Sequence, residues 1–300
     1  MRWLSVLALA ACGGSSAKPI AGTSAPAPQS TLDRMVALLP DGAQIVVELD
    51  LARLRGNATV GEVATKALAG GAPLPAVVPG IAAGSAAGSP LAHADALVFA
   101  AYGVGTAQAI TVALVATTAE LPDATRVTPD IVALGPTEWT GQLATRAAIG
   151  DGKLVVPSEL RALREHAVPK GATGAVVRAT ARLPFDARVA LARMTGLDSA
   201  PARIAVWGDV ADDLVLVIDA DADDPGEKKR GTAVKRMAAT LRGALAGLGD
   251  VPVVKALGFA SSLGEARQIV QGTWVRTIVE VGPRHLGRVV ERAREMLAAP

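Results

Sequence analysis

An α+β fold is what the sequence predicts: two related units, each a mainly antiparallel sheet with helices packed on one face. The first observation is the rhythm of the chain, in which short Val, Ile and Leu runs alternate with longer segments at helical spacing. A second is the pair of apolar runs Ala96 to Tyr102 and Ala109 to Thr117, joined through Gly103-Val104-Gly105, which has the spacing of an antiparallel hairpin. Last, a set of motifs in the first half returns in the same order in the second.

The folded part begins near Thr31, whose hydroxyl can cap a helix from Leu32 to Leu39. Leu32, Met35, Val36 and Leu39 recur at helical spacing, and Asp33 suits the positive end of the helix dipole. Pro40-Asp41-Gly42 stops this helix. Ala43 to Leu49 reads as a buried strand, and Val60 to Leu68 as a helix. Gly70 to Ser89 is uncharged and rich in Gly, Ala, Pro and Ser; it reads as a linker or broken helix over the sheet, with a mobile apolar flap as the alternative. After the hairpin, Asp130 to Leu134 is a strand and Thr137 to Ala148 a helix, opened by Pro136, which lacks only an amide hydrogen that would be unpaired there. Lys153 to Val156 reads as a short strand, and Pro157-Ser158-Glu159 opens a helix to His166.

The repeat rests on several matches. Pro40-x-Gly42-Ala43 returns as Pro169-x-Gly171-Ala172, with Val47 falling on Val176 and Ala52-Arg53-Leu54 on Ala181-Arg182-Leu183. The hairpin strands have counterparts in Arg203 to Trp207 and Leu214 to Ala220. Val132-x-Leu134-Gly135-Pro136 returns as Val279-x-Val281-Gly282-Pro283, each time where a strand meets a helix. The units span residues 32–150 and 153–300. Only the second carries a helix from Pro225 to Leu248, with Val234, Met237, Leu241, Leu245 and Leu248 as its apolar stripe. Beyond it, Val253 to Ala260 and Glu265 to Val270 read as strands, then Thr273 to Val281 as a strand and Pro283 to Leu297 as the last helix.

In 300 residues, 30 basic side chains face 28 acidic ones. That balance offers no basic footprint for nucleic acid. The hydrophobic share is 50% but the aromatic share only 3%, so the core must be built from Val, Leu, Ile and Ala. The single cysteine, Cys12, excludes an internal disulfide and a cysteine-based zinc site.

Before Cys12, Arg2 supplies a positive start and Trp3 to Ala11 an uncharged, mostly apolar run, too short for a bilayer span of about 20 residues. With Leu9, Ala10, Ala11 and Cys12 in the lipobox, the N-terminus resembles a bacterial lipoprotein precursor. The resemblance covers only this stretch. It implies a signal peptide over 1–11, cleavage before Cys12, a diacylglycerol thioether on its sulfur and N-acylation. The expected address is the cell envelope, on the periplasmic face of the inner or outer membrane, without a transmembrane span in the mature chain. Residues 12–31 then form a flexible tether.

Chemistry-bearing patterns are sparse. Asp219, Asp221, Asp223, Asp224 and Glu227 alternate like the opening of a calcium loop. However, Asp224 stands where that loop needs glycine and Arg230 where it needs a bidentate glutamate; an acidic loop capping the next helix explains the cluster equally. His93, His166 and His285 are isolated, and no Gly-x-Ser-x-Gly, HExxH, phosphate loop or dinucleotide fingerprint occurs, so no cofactor is implied. Glu48, inside a hydrophobic strand, needs a cationic partner, for which Arg53 and Arg55 are nearest in sequence. The reading is a membrane-anchored, non-enzymatic binding or scaffolding protein with membrane lipid and an envelope protein as partners. The alternatives are a hydrolase or metal-dependent enzyme, signalled by a histidine reaching an aspartate in a cleft, and a carrier of lipid or another apolar ligand, signalled by a closed apolar cavity between helices and sheet.

Overall fold

The computed structural model describes residues 30–70, 91–150, 154–195, 200–222 and 230–298. The expected signal peptide, Cys12, nearly all of the expected tether and most of the Gly70 to Ser89 stretch lie outside them. The first half runs α1 (Thr31–Leu38), β1 (Ile45–Asp50), α2 (Leu51–Gly56), α3 (Gly61–Ala69), β2 (Ala96–Tyr102), β3 (Ile110–Ala116), β4 (Thr125–Thr128), β5 (Ile131–Leu134) and α4 (Thr137–Ala148). In the second half, α5 (Ser158–His166), β6 (Val177–Arg182), α6 (Phe185–Thr195), β7 (Arg203–Val210) and β8 (Leu214–Asp221) come first. They are followed by α7 (Arg230–Asp250), α8 (Pro252–Leu257), α9 (Ala260–Gly264), β9 (Arg267–Gln271), β10 (Trp274–Val281) and α10 (Pro283–Ala298).

All ten described strands form one antiparallel sheet in the order β4-β5-β3-β2-β1-β6-β7-β8-β10-β9. From the central β1/β6 pair outward, the order is first, second, third, fifth, fourth strand on both sides. Where the sequence frame set Ala52-Arg53-Leu54 on Ala181-Arg182-Leu183, the elements differ: the former is helix α2, while Ala181 and Arg182 belong to strand β6. In the sheet, Val47 pairs with Ala179.

Because side chains alternate across a strand, each strand feeds two layers. One face carries Val46, Val98, Leu114 and Ile131 under α1 and α4, with Met35, Val36 and Leu143 buried against them. Further along this face, α5 seats Leu163 and Ala167 on Ala205, Trp207 and Val217. The opposite face carries Leu97 and Val115 under α2 and α3, and Ala220, Val275 and Val279 under α7 and α9. Helices therefore cover both faces, not one. The physical reason is that β1, β2 and β3 present apolar side chains at both parities, and each apolar face must be covered.

Other differences are local. Ser30, not Thr31, caps α1, its hydroxyl accepting from the Asp33 amide at 3.1 Å. The last carbonyls of α1 are met by Arg146 of α4, which donates to Leu38 O and Ala37 O. Residues 154–156 form no strand. Pro252–Leu257 is helical, where a Val-rich run predicted a strand; Pro252 sits at the first helical position and Gly258, at φ 89°, ends the helix. The sequence also gives no sign of β4, α2, α6 or α9. Leu248 ends the α7 stripe exposed, whereas Val234, Met237 and Leu245 are buried.

Candidate functional site

Two constructions stand out, one on each face of the second half. On the face reached by α10, an apolar cavity of about 370 Å³ lies between sheet and helices. Its floor is Val177, Gly208, Val210 and Leu216 of β6, β7 and β8. Over this floor, α3 brings Val63 and Ala64, α10 brings Val289, Val290 and Ala293, and the α8–α9 junction brings Leu257 and Phe259. The cavity is part-open rather than closed, and no polar atom of the described residues faces into it. Asp209 borders it, but its carboxylate accepts from Arg53 Nε and Nη2 at 2.8 and 2.6 Å.

Two glycines shape this space. A Cβ on Gly208 would lie 2.7 Å from Val177 Cγ1, so only hydrogen fits in the floor. A Cβ on Gly61 would lie 2.2 Å from the Arg55 carbonyl, so glycine is what lets α3 start hard against α2 and lean over the sheet. Glu62 of α3 and Arg294 of α10 pair at 2.8 Å in the open, linking the two helices. Lys66 and Arg294 hold the Glu62 carboxyl below its ordinary range.

On the other face lies a polar seam. Glu48, 1% exposed, receives Arg164 Nε and Nη2 of α5, both at 2.7 Å. Arg164 also donates to Asp33 at 2.9 Å. Burial works against the guanidinium charge, but Glu48 and Asp33 outweigh it and the Arg164 pKa is raised. The sequence-nearest cations do other work: Arg53 binds Asp209, and Arg55 donates to Ala94 O and Asp95. Asp50 caps α2 through the Arg53 amide. Sequence spacing missed Arg164 because the pair spans 116 positions and exists only once α5 docks beside β1.

Farther along the seam, Asp219 accepts from Arg276 Nε and Nη2 at 2.9 and 2.7 Å and contacts His166 Nδ1 at 2.8 Å. Asp219 and burial act in opposite senses on Arg276, and the net effect raises its pKa. The His166 ring stacks on Trp274 at 3.9 Å between centroids, and Arg203, bound to Asp221, lies 5.2 Å from the same indole. His166 thus reaches an aspartate, but both carboxylate oxygens are already held by arginine. Among the described residues, no hydroxyl hydrogen-bonds to this histidine. Of the five acidic residues singled out in sequence, Asp219 and Asp221 are in these ion pairs, while Asp223, Asp224 and Glu227 lie outside the described residues. Among the described residues no cluster of three or more metal-ligating side chains forms.

The histidines do not converge. His93 is exposed before β2, and His285 of α10 contacts Ser262 Oγ at 3.2 Å and the Gly258 carbonyl at 2.9 Å. That arrangement ties α8 and α9 to α10. Trp207 is core, its Nε1 donating to Gly174 O at 2.9 Å, and Trp139 packs on Tyr102. Among the described residues no helix is long and apolar enough to cross a membrane.

No protein-family model and no curated protein matches the chain. Among solved structures, it is similar to crystal form I of TP0453, at 8% identity and a TM-score of 0.42, over 90% of this chain and 100% of that one. It is also similar to crystal form III of TP0453, at 9% identity and a TM-score of 0.38, over 85% and 96% of the respective chains. What the chain is, on its own geometry, is an α+β protein built on one large antiparallel sheet with packed helices.

Proposed function

We propose that this chain is a cell-envelope protein, held at the membrane through acylated Cys12, that binds a lipid chain or another apolar ligand between its sheet and the helices α3 and α10. The observation that carries the reading is the wholly apolar cavity. A space of about 370 Å³ falls in the range of small-molecule pockets. By comparison with the ~150 Å³ void that takes up benzene, it offers room on the order of a dozen carbons. Such a chain gains roughly 0.8 kcal/mol per buried methylene before the costs of binding. With no polar atom inside, the headgroup of an amphiphile would stay at the mouth.

This favours the carrier reading over a scaffold acting by surface shape alone. The His166–Asp219 contact gives an enzymatic reading less support, because arginine occupies the carboxylate. The matched strand orders of the two halves support descent from a duplicated unit. Two acyl chains on Cys12 would supply durable anchoring where one would not.

The test is titration of the purified protein with the neutral fluorophore N-phenyl-1-naphthylamine, followed by displacement with a medium-chain acyl lipid. Ala64→Phe, which projects a ring from α3 into the space, is expected to abolish binding while leaving the melting temperature unchanged or higher. Wild-type-like binding by this variant would place the ligand elsewhere and sink the proposal. For the anchor, mass spectrometry of the mature N-terminus is expected to find acyl mass on Cys12, lost in Cys12→Ser together with detergent-phase partitioning.

A further inference from the structure

The two outer strands of the sheet are not protected alike. At one edge, β4 carries a register shift between Arg126 and Thr128 and lies under α4, with Thr125 Oγ1 bonded to Thr140 Oγ1 at 3.0 Å. Bulges and covering helices are the usual means of blocking further strand addition. At the other edge, β9 pairs with β10 without a bulge, carries no proline, and exposes Val270 at 55%. Among the described residues β10 pairs with it along its length, and α7 touches it from one face through the Gln268 side chain, which donates to Ala238 O at 2.9 Å and accepts from Arg242 at 2.6 Å, leaving the outward backbone groups of the strand uncovered.

From this edge we infer that β9 is a self-association site, pairing antiparallel with β9 of a second copy about a two-fold axis at Ile269. The two-residue turn at Gly272-Thr273 is closed by Gln271 and Trp274 as a hydrogen-bonded pair. Alternation then turns the amide and carbonyl of Ile269 toward β10, and those of Gln268 and Val270 outward. No described backbone group beyond the hairpin pairs with these outward groups. Centred on Ile269, each outward Gln268 meets the other copy's Val270, which yields four backbone hydrogen bonds. The only charge on the strand, Arg267, then falls opposite Gln271, so the sequence Arg-Gln-Ile-Val-Gln meets itself without like-charge contact. That self-complementarity is what commits the edge to a copy of this chain rather than to an unrelated peptide. A closed two-fold pairing also consumes the edge, so association stops at the dimer.

Site-specific crosslinking of the full-length chain in a Cys12→Ser background tests this. In the inferred register the two Ile269 Cα atoms are a non-hydrogen-bonded pair at about 4.5 Å, within disulfide reach, whereas position 270 faces 268. Ile269→Cys is expected to form an oxidised dimer, and Val270→Cys markedly less. Sedimentation across a concentration series is expected to show a monomer–dimer equilibrium in the unsubstituted chain. Val270→Pro, which removes only an outward amide, is expected to weaken it about 10-fold or more with an unchanged circular dichroism spectrum. A wild-type chain that stays monomeric throughout, or equal crosslinking at 269 and 270, would overturn the inference.

Discussion

The two halves of the sheet end in the same letters and go opposite ways. Leu134-Gly135-Pro136 closes β5, and Val281-Gly282-Pro283 closes β10. Gly135 takes φ 146°, with Pro136 as the cap of α4, whereas Gly282 avoids positive φ and Pro283 is already the first residue of α10. One glycine dihedral thus separates a helix that returns to the α1 face from one that crosses to the α3 face. The consequences differ accordingly. In the first half α4 completes a dense apolar layer with Leu143 fully buried; in the second, α10 joins α3 over an incompletely filled space. The face that α10 leaves behind holds the Asp219, Arg276, His166 and Trp274 cluster where the first half has Leu114 and Ile131 under a helix. A shared strand order therefore supplies a frame, and the exit of one helix decides whether the frame is filled or holds a cavity.

The buried ion pair between the halves should give the largest effect. Glu48→Ala is expected to cost about 3–5 kcal/mol in urea unfolding, because it leaves Arg164 buried with only Asp33 in reach. The double change Glu48→Leu with Arg164→Met should recover much of that loss. If the single and double variants were equally unstable, the pair would not be the tie we describe.

Core truncation sharpens the contrast. Leu143→Ala should cost about 2–5 kcal/mol, as for a close-packed leucine. Leu216→Ala should cost roughly half as much, since that side chain is only part-buried and borders the cavity. Equal losses would mean that the second half is packed as tightly as the first.

A smaller effect tests the dihedral directly. Gly135→Ala should lower stability by about 1–3 kcal/mol, because the backbone is strained for an L-residue and its Cβ would come 3.0 Å from Thr111 O. Gly282→Ala, with open space around it, should stay within about 0.5 kcal/mol. Thermal melts of the two variants make the comparison.

The weakest expected effect concerns acid. Burial raises the Asp33 pKa, but Arg164 and Ser30 outweigh it and the net shift is downward; Arg34 lowers Asp130 in the same sense. A carboxylate depressed in the folded state adds stability above its unfolded pKa of about 3.9 and loses it as pH falls through the lower folded value. Unfolding midpoints should therefore drop below about pH 4, and the drop should be shallower in Asp33→Asn. A variant curve parallel to wild type would remove Asp33 from the account.

Much of the strand plan was legible. The hairpin of β2 and β3 and the helices α4, α5 and α10 follow from periodicity and Gly/Pro punctuation within a residue or two. The helix at Pro252 was misread because Val253 and Val254 favour strand locally, while a helix here brings Leu257 to the wall of the cavity. The cavity itself left no motif: its walls are mostly Val, Leu and Ala, with Gly208 and Phe259, from widely separated segments, indistinguishable in sequence from ordinary core residues. A signal did exist for Glu48, as a lone carboxylate in an apolar strand, but it announced a partner without naming it.

By itself the sequence determined most of the strands and helices and most turn positions, together with the expected lipobox and the order in which the motifs recur, because each depends on residues close together in the chain. The tertiary structure alone decided that both halves share one sheet, that Arg164 answers Glu48, and that α10 crosses to the α3 face. Those outcomes depend on which surfaces meet when distant segments pack, and on a backbone angle at Gly282 that glycine leaves free.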